Sequence, residues 1–578
     1  MSEPRSSDKV TAGEAGRRLW ARFWKLAAPY WREDEKWKAW GLLGLLVVLL
    51  LGQTEFAVLF NEQTGEFTSA LAARDEPRFW DAILRCLVLL IAAVPIYGFF
   101  YFVRDKLGIH WRRWLTHRFL GRYFSHRRFY ELNANETIDN PDQRVAEDLA
   151  IFTQRSLYYL LVIIGSLLQL VAFSGVLWSI SHELVYFLVA YASLGTLAVV
   201  FVFGRRLIRL NFNQLRREAD FRFSLVRVRE NAESIAFYRG EGLELREVKR
   251  RFGEAFDNFN RLIRGQLGLN LFQHAYVLLT LVIPSAIIAE RVLSGELEVG
   301  RAVQAAGAFA AVLGAISLII ENFEGLSRFV AGVDRLDTLA AVLGGPAAPV
   351  AAETHVIRSV HAPHLALDNV TLHTPRHDRV LIRNLSLTIQ PGEGLMIVGE
   401  SGSGKSSLLR AIAGLWHSGS GTIYRPAPED ILFLSQQPYM LLGTLRSQLL
   451  YPHRGLSADD RTLLALLERV NLGDLAERFG GLDAEVDWHK VLSVGEQQRL
   501  AFARLLLTRP RFAILDEATS ALDIANEARL YAHLAETGTT LVSVGHRSTI
   551  LQYHTHVLQL LGDSGWQSHA ARSFRFDH

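Results

Sequence analysis

Two short segments late in the chain carry residue types that together can move a phosphoryl group. Gly399-Glu400-Ser401-Gly402-Ser403-Gly404-Lys405-Ser406, with Ser407 after it, follows the apolar run Leu395-Met396-Ile397-Val398 and opens a helical stretch. Its glycines let backbone N–H groups converge on phosphate oxygens where any Cβ would obstruct them. Lys405 offers positive charge to the outer phosphates, Ser406 offers a hydroxyl to Mg2+, and the helix start adds its partial positive charge. Further on, Phe512-Ala513-Ile514-Leu515 reads as a strand that delivers Asp516 and Glu517 at its carboxyl end, where an α/β sheet places its ligand site. One carboxylate can hold a metal and the next can polarise an attacking water, the division of labour phosphoryl transfer requires. Asp516 is therefore assigned to Mg2+ and Glu517 to the water; an isolated Asp-Glu pair would be two surface acids.

These groups need a sheet to hold them. Short apolar runs at Leu395–Val398, Ile431–Leu434, Phe512–Leu515 and Thr540–Val544 alternate with helical stretches, the pattern of a soluble α/β domain with a largely parallel core sheet. The chain before about residue 325 has a different character. Six apolar stretches of spanning length lie near residues 39–60, 82–103, 157–180, 184–204, 269–290 and 303–321. Each is long enough to cross a bilayer. Gly41 to Leu51 has no polar face at all, so it cannot lie on a soluble surface. The expected fold is a membrane bundle of six helices followed by a cytoplasmic α/β domain.

Basic residues set the orientation. Arg104 to Arg128 and Arg205 to Arg251 crowd the connections after the second and fourth stretches, whereas the alternate connections are short or acid-balanced. The basic sides are cytoplasmic, which puts both termini there too. Both basic connections read as helical, so the spans are expected to continue below the membrane, with breaks at Asn140-Pro141 and near Gly240, a glycine suited to a helix C-cap. Leu343-Gly344-Gly345-Pro346-Ala347-Ala348-Pro349 reads as a linker. The expected organisation is a cytoplasmic N-terminal segment at 1–38, a transmembrane domain at 39–335, a linker at 336–362 and a nucleotide-binding domain at 363–578.

Composition excludes other classes. The net charge of +3 in 578 residues is too small and too dispersed to suggest a nucleic-acid partner. The single cysteine, Cys86, sits in an apolar run and reads as a small buried hydrophobe, which excludes a disulfide framework. No small-residue cleavage site follows the first apolar run, so no cleaved signal peptide is expected.

Leu492-Ser493-Val494-Gly495-Glu496-Gln497-Gln498-Arg499 lies between the two phosphate-handling segments and resembles the LSGGQ signature of ABC transporters. With Gln436 in Leu434-Ser435-Gln436-Gln437-Pro438, the Ser520-Ala521-Leu522-Asp523 segment and His546, the series is similar to a complete ABC nucleotide-binding domain. The resemblance implies an exporter-like type IV fold, ATP and Mg2+ as cofactors, and an ATPase coupled to transport. It implies that Ser493, Gly495 and Glu496 meet ATP held by the P-loop of a second subunit, with Asp523 nearby. It also implies that Gln436 senses Mg2+ and that His546 contacts the γ-phosphate. One such domain with six spans makes a half-transporter, so a homodimer is expected, and a heterodimer with a related chain fits the same arithmetic. Two positions depart from the signature: Val494 replaces its first glycine and Glu496 its glutamine. Thr374 stands where many relatives carry an adenine-stacking aromatic, so no stacking residue is assigned.

Asn140 to Asp148 and Glu233 to Glu241 resemble the corresponding segments of the SbmA/BacA-like membrane domain, found in bacterial peptide-uptake proteins, a mycobacterial cobalamin transporter and the subfamily D transporters. That branch implies a peptide-like, cobalamin-like or other large amphipathic solute, with an acyl-CoA or lipid cargo or an ATP-gated channel as alternatives. It leaves import and export both open. Few Lys and Met beside many Arg and Ala point to a bacterial inner membrane. Glu55, Gln169, Gln273 and His274 lie inside the spans, where a polar group faces either a cavity or a neighbouring helix.

Overall fold

The computed structural model describes residues 12–134, 138, 141–321, 323–344, 356–375, 379–452 and 455–576. Asn140, the linker residues 345–355 and the C-terminal Asp577 and His578 lie outside these. The chain divides into two compact units, Met1–Ala347 and Ala348–His578.

Among its described residues the first unit is helical, with no strand. Among the described residues five helices are long and apolar enough to cross a membrane: Lys36–Ala73, Glu76–Asn133, Pro141–Ile180, Glu241–Leu293 and Val299–Ile316. The expected fourth stretch falls on His182–Ala198, 17 residues long, which passes into a π-helical turn, Val199–Gly204. The extensions below the spans are continuous with them. Glu76–Phe124 runs for 49 residues and Glu241–Leu293 for 53, about 75 Å each at 1.5 Å per residue and more than twice the hydrocarbon thickness.

The two expected breaks take particular forms. Pro141 opens a short helix that becomes a π-turn at Arg144–Asp148 before Leu149–Ile180 begins. The π-turn directs Asp148 inward, where its carboxylate pairs with Arg335 at 2.6 Å. Gly240 does not cap the preceding helix in the left-handed conformation. That role falls to Arg239 (φ 52°), and Gly240 instead begins Glu241–Leu293. The Gly240 N–H still closes the helix end on the Ile235 carbonyl, so the turn needs a left-handed residue one position earlier than the glycine suggests.

The expected linker also starts later than 336. The helix Phe323–Gly344 carries Leu336, Leu339, Ala340 and Leu343 at helical spacing into a core with Tyr30, Trp111 and Phe152, and burial of that stripe extends the helix to Gly344. Ala12–Arg32 packs beside it through the ion pairs Arg22–Asp334 and Lys25–Asp337, leaving Trp20 and Trp24 exposed and stacked on each other. Elsewhere Gly65 and Gly300 bring two apolar helices into backbone contact: the Gly300 N–H donates to Ser69 Oγ at 3.0 Å, and a Cβ on Gly65 would lie 2.8 Å from the Gly300 carbonyl oxygen. Arg78 joins Glu66 (2.6 Å) and Glu298 (2.9 Å) at the same end. Cys86 is buried, as its sequence context suggests.

The second unit is built on two sheets. β1 (Arg358–His361), β2 (Leu365–His373), β3 (Val380–Ile389) and β5 (Gly419–Arg425) form a mostly antiparallel sheet in the order β1-β5-β2-β3. β4 (Leu395–Gly399), β6 (Ile431–Leu434), β7 (Phe512–Asp516), β8 (Thr540–Val544), β9 (His556–Leu560) and β10 (Trp566–Ala570) form the central sheet, ordered β10-β9-β4-β8-β7-β6. It is parallel except for β10. Both its faces are covered. Ile397, Ile514, Val542 and Leu558 point into one core, while Met396, Leu515, Leu541 and Val557 point into the other, so the strands read as unbroken apolar runs.

Register brings the chemistry together. Val544 pairs with both Ile397 and Asp516, so the loops after β4, β7 and β8 leave one edge of the sheet side by side. Leu434 pairs with Leu515, which brings Gln436 to the same edge.

Candidate active site

The loop after β4 has the shape a phosphate cradle needs. Gly399, Gly402 and Gly404 all have positive φ (149°, 81° and 101°), and a Cβ on Gly399 would sit 2.5 Å from the Leu560 carbonyl oxygen. Lys405 starts the helix Lys405–Ile412 and folds its ammonium back onto the Gly399 and Glu400 carbonyls at 2.7 and 2.8 Å. Among the described residues the Ser403 hydroxyl is buried without a protein partner. A buried polar atom left this way costs free energy, and an incoming phosphate oxygen would satisfy it. Glu400 and Ser401 are exposed on the same loop, and Ser406 is exposed in the first turn of the helix with Ser407 one position further along it. The residues present therefore fit a nucleotide phosphate.

They also fit Mg2+. The Ser406 hydroxyl donates toward Asp516 Oδ1 at 3.4 Å, which puts one hydroxyl and one carboxylate at the mouth of the cradle. Burial pushes Asp516 above the usual carboxylate range, the Ser406 hydrogen bond opposes that shift, and the neighbouring Glu517 charge adds to it. A cation placed beside Asp516 would reverse the penalty. Among the described residues no cluster of three His, Cys, Asp or Glu could hold a metal alone; Mg2+ is commonly held by one or two carboxylates together with substrate phosphates.

Glu517 adopts a left-handed backbone (φ 48°), and its N–H bonds to the Val544 carbonyl at 3.2 Å. A non-glycine residue held there is strained, and the strain turns its side chain away from the line of the strand. Its carboxylate accepts a 3.1 Å hydrogen bond from the Gln436 amide. Gln436 thus meets Glu517, which the sequence reading assigns to the water, rather than the Ser406–Asp516 pair it assigns to the metal. His546 stands exposed just after β8, separated from it by Gly545.

The signature residues form a group of their own. Ser493 caps the helix Val494–Thr508 in a full capping box with Glu496, satisfying two N–H groups reciprocally. Gly495 lies against the Ser520–Asp523 segment, where a Cβ would come 3.1 Å from the Ala521 carbonyl oxygen, whereas Val494 is exposed. The departure from the signature therefore falls where a side chain has room, and the glycine retained is the one closely approached by a neighbouring carbonyl. Asp523 spends its carboxylate capping Ile524–Ala535, accepting from the Asn526 N–H at 2.7 Å, and those hydrogen bonds hold it below the usual carboxylate range.

Two residues that sequence reasoning missed, Gln498 and Glu527, tie these parts together, and a third, Arg504, is buried nearby in the same unit. Gln498 is fully buried; its amide donates to the Gln436 carbonyl and to Ser520 Oγ, and its oxygen accepts from the Ala521 N–H. Glu527 is buried and accepts from Thr519 at 2.6 Å and from Thr549 at 2.8 Å, joining the segment after Glu517 to the loop after His546. Its position four residues beyond Asp523, on the inner face of a helix, was the available signal. Arg504 is buried without a carboxylate, donating to the Gln448 and Tyr439 carbonyls, and burial pushes its guanidinium down to about 10.

Comparison with known proteins covers both units. The family description "ABC transporter transmembrane region 2" matches residues 33–293, and "ABC transporter" matches residues 382–520. An uncharacterized ABC transporter ATP-binding protein of Synechocystis is 47% identical over 92% of this chain and 82% of its own length. The chloroplastic ABC transporter D family member 2 of Arabidopsis thaliana is 38% identical over 94% of this chain and 86% of its own. The human lysosomal cobalamin transporter is 31% identical over 92% of this chain and 93% of its own.

Proposed function

This chain belongs to the ABC transporter family, a multi-pass membrane protein that hydrolyses ATP with Mg2+ to drive transport, and on that premise we propose that two copies carry a large amphipathic solute, cobalamin-like or peptide-like, across a bacterial inner membrane. The observation that carries the hydrolytic part of this reading is the convergence of Ser406, Asp516, Gln436 and Glu517 on one sheet edge. The solute class rests on a likeness that covers 93% of a relative named for cobalamin, together with the resemblance to peptide-uptake membrane domains.

In this reading six spans cross the membrane and both termini face the cytoplasm. The fourth is His182–Ala198 with its π-helical continuation, roughly 30 Å in all. Mg2+-ATP supplies the phosphoryl group and the counter-charge for its oxygens. The chain's own residues do the rest. Lys405 and the Gly399–Ser407 cradle bind the phosphates, while Ser406 and Asp516 hold the metal. Glu517 takes the proton from the attacking water, Gln436 orients Glu517, and His546 donates toward the γ-phosphate. Ser493, Gly495 and Glu496, with Asp523 beside them, close the site from the second copy.

The test is transport in sealed vesicles with the ATPase units outside, using labelled cobalamin and a Pro-rich cationic peptide beside a Glu517→Gln control. ATP-dependent loss of solute from the lumen means import in the cell, and accumulation means export. Intact ATP hydrolysis with neither solute moved rejects this solute class.

A further inference from the structure

Glu496 stands where a carboxylate is a chemical problem. Its Oε2 accepts from both the Ser493 N–H (2.8 Å) and the Ser493 hydroxyl (2.9 Å), and its own N–H donates back to that hydroxyl at 3.3 Å. A serine hydroxyl has one proton to give. With the proton held by Glu496, Ser493 reaches a phosphate only by leaving an ionised acceptor, and that acceptor would itself repel the phosphate.

A second contact answers both difficulties. Arg478, on the short helix Leu475–Phe479, lies 15 residues earlier than Ser493, and its Nη1 donates to Glu496 Oε1 at 2.7 Å. The carboxylate side chain is mostly covered while the guanidinium is half-exposed. Asp474 adds a weaker contact to the same Nη1 at 3.6 Å. Burial by itself raises Glu496, but the hydrogen bonds from Arg478 and Ser493 outweigh it and keep the group below the usual carboxylate range. Glu496 is therefore ionised next to the signature serine, and Arg478 cancels its charge from the opposite oxygen.

We propose that Arg478 is a positioning residue for ATP hydrolysis: acting through Glu496, it sets the Ser493 hydroxyl and N–H at the start of the signature helix and removes the negative charge that would otherwise face the partner's nucleotide. The inference rests on the reading that Ser493 meets ATP held by a second copy. When nucleotide arrives, the hydroxyl turns from Glu496 to the phosphate, and Arg478 together with the Ser493 N–H still satisfies the carboxylate. An amide at 496 would need no such partner, so the demand for Arg478 follows from Glu496.

The experiment is ATPase kinetics against ATP concentration on the full chain in lipid nanodiscs. Arg478→Gln is expected to raise KM for ATP about tenfold with kcat changed less, the scale of one lost charge-assisted hydrogen bond. In a Glu496→Gln background the same substitution is expected to change KM by less than about twofold. Arg478→Lys keeps the charge and is expected to stay within about threefold of the parent; it also serves if the glutamine variant does not fold. Equal losses in both backgrounds, no loss in either, or a tenfold rise for the lysine variant overturns the proposal. Ser493→Ala separates the two levels: unchanged kinetics there overturns the underlying reading of the signature, whereas an impaired Ser493→Ala beside a normal Arg478→Gln overturns this inference alone.

Discussion

The Gln436 amide donates to the Glu517 carboxylate at 3.1 Å, linking the loop that leaves β6 to the residue that leaves β7. Gln498 holds the backbone carbonyl of Gln436 from below, so both ends of the glutamine are engaged. This geometry holds the carboxylate in place without neutralising it, since an amide carries no charge. Glu517→Gln keeps the shape and removes the proton acceptor. Turnover is expected to fall about 10²- to 10⁴-fold while ATP stays bound. Phosphate release and retained radiolabelled nucleotide measure the two effects, and turnover close to the parent's rejects the assignment.

The signature's replaced glycine position and its retained one are expected to respond oppositely. Val494 is exposed and a Cβ at Gly495 would press on the Ala521 carbonyl at 3.1 Å. Val494→Gly is expected to keep the ATPase rate within about twofold, at the cost of an ordinary loss of helix propensity. Gly495→Val pushes the helix away from Ser520–Asp523 and is expected to lower the rate at least about tenfold, the cost of overpacking a tight contact. Parallel ATPase assays decide, and equal rates for the two variants would show that the contact is unimportant.

Acid is expected to weaken the ATPase unit through His554. This histidine is buried between the Ile550 carbonyl and Ser543 Oγ, and burial lowers it from 6.5 to about 4. The folded state therefore keeps it neutral while the unfolded chain takes up a proton. Stability is complete above the unfolded value of 6.5 and is lost as pH falls toward 4, by up to about 3 kcal/mol. Thermal melts of the full chain at pH 7, 6 and 5 should show the decline, and a His554→Asn variant should show a flatter one. Parallel slopes for parent and variant would count against it.

In the membrane unit, Gly300→Ala is expected to destabilise strongly, because its Cβ would overlap the Gly65 carbonyl oxygen and the Ser69 hydroxyl. Backbone faces backbone there, so no rotamer change relieves the clash. A cost of about 1–3 kcal/mol is expected, read as a lower melting temperature in detergent. Gly314→Ala, where nothing among the described residues lies within 4 Å of the new carbon, is the control, and an equal effect at both sites refutes the contact.

The amino-acid sequence by itself determined the features that depend on local spacing. The strand, glycine-rich loop and helix around Lys405, the strand that ends in Asp516 and Glu517, and the long apolar stretches are each encoded within about 20 residues, where chain geometry leaves few alternatives. Tertiary structure decided whatever depends on a distant partner. The helix runs to Gly344 because its apolar stripe meets Trp111 and Phe152. Gly495 rather than Val494 must stay small because Ala521 approaches it. Glu496 reads as a departure from a pattern until Arg478 is found against it. Gln498 and Glu527 look like ordinary helix residues until folding buries them among the loops that carry the chemistry. Hydrogen-bond partners and close approaches are set by which segments the sheet register and core packing bring together, and that information is spread over the whole chain.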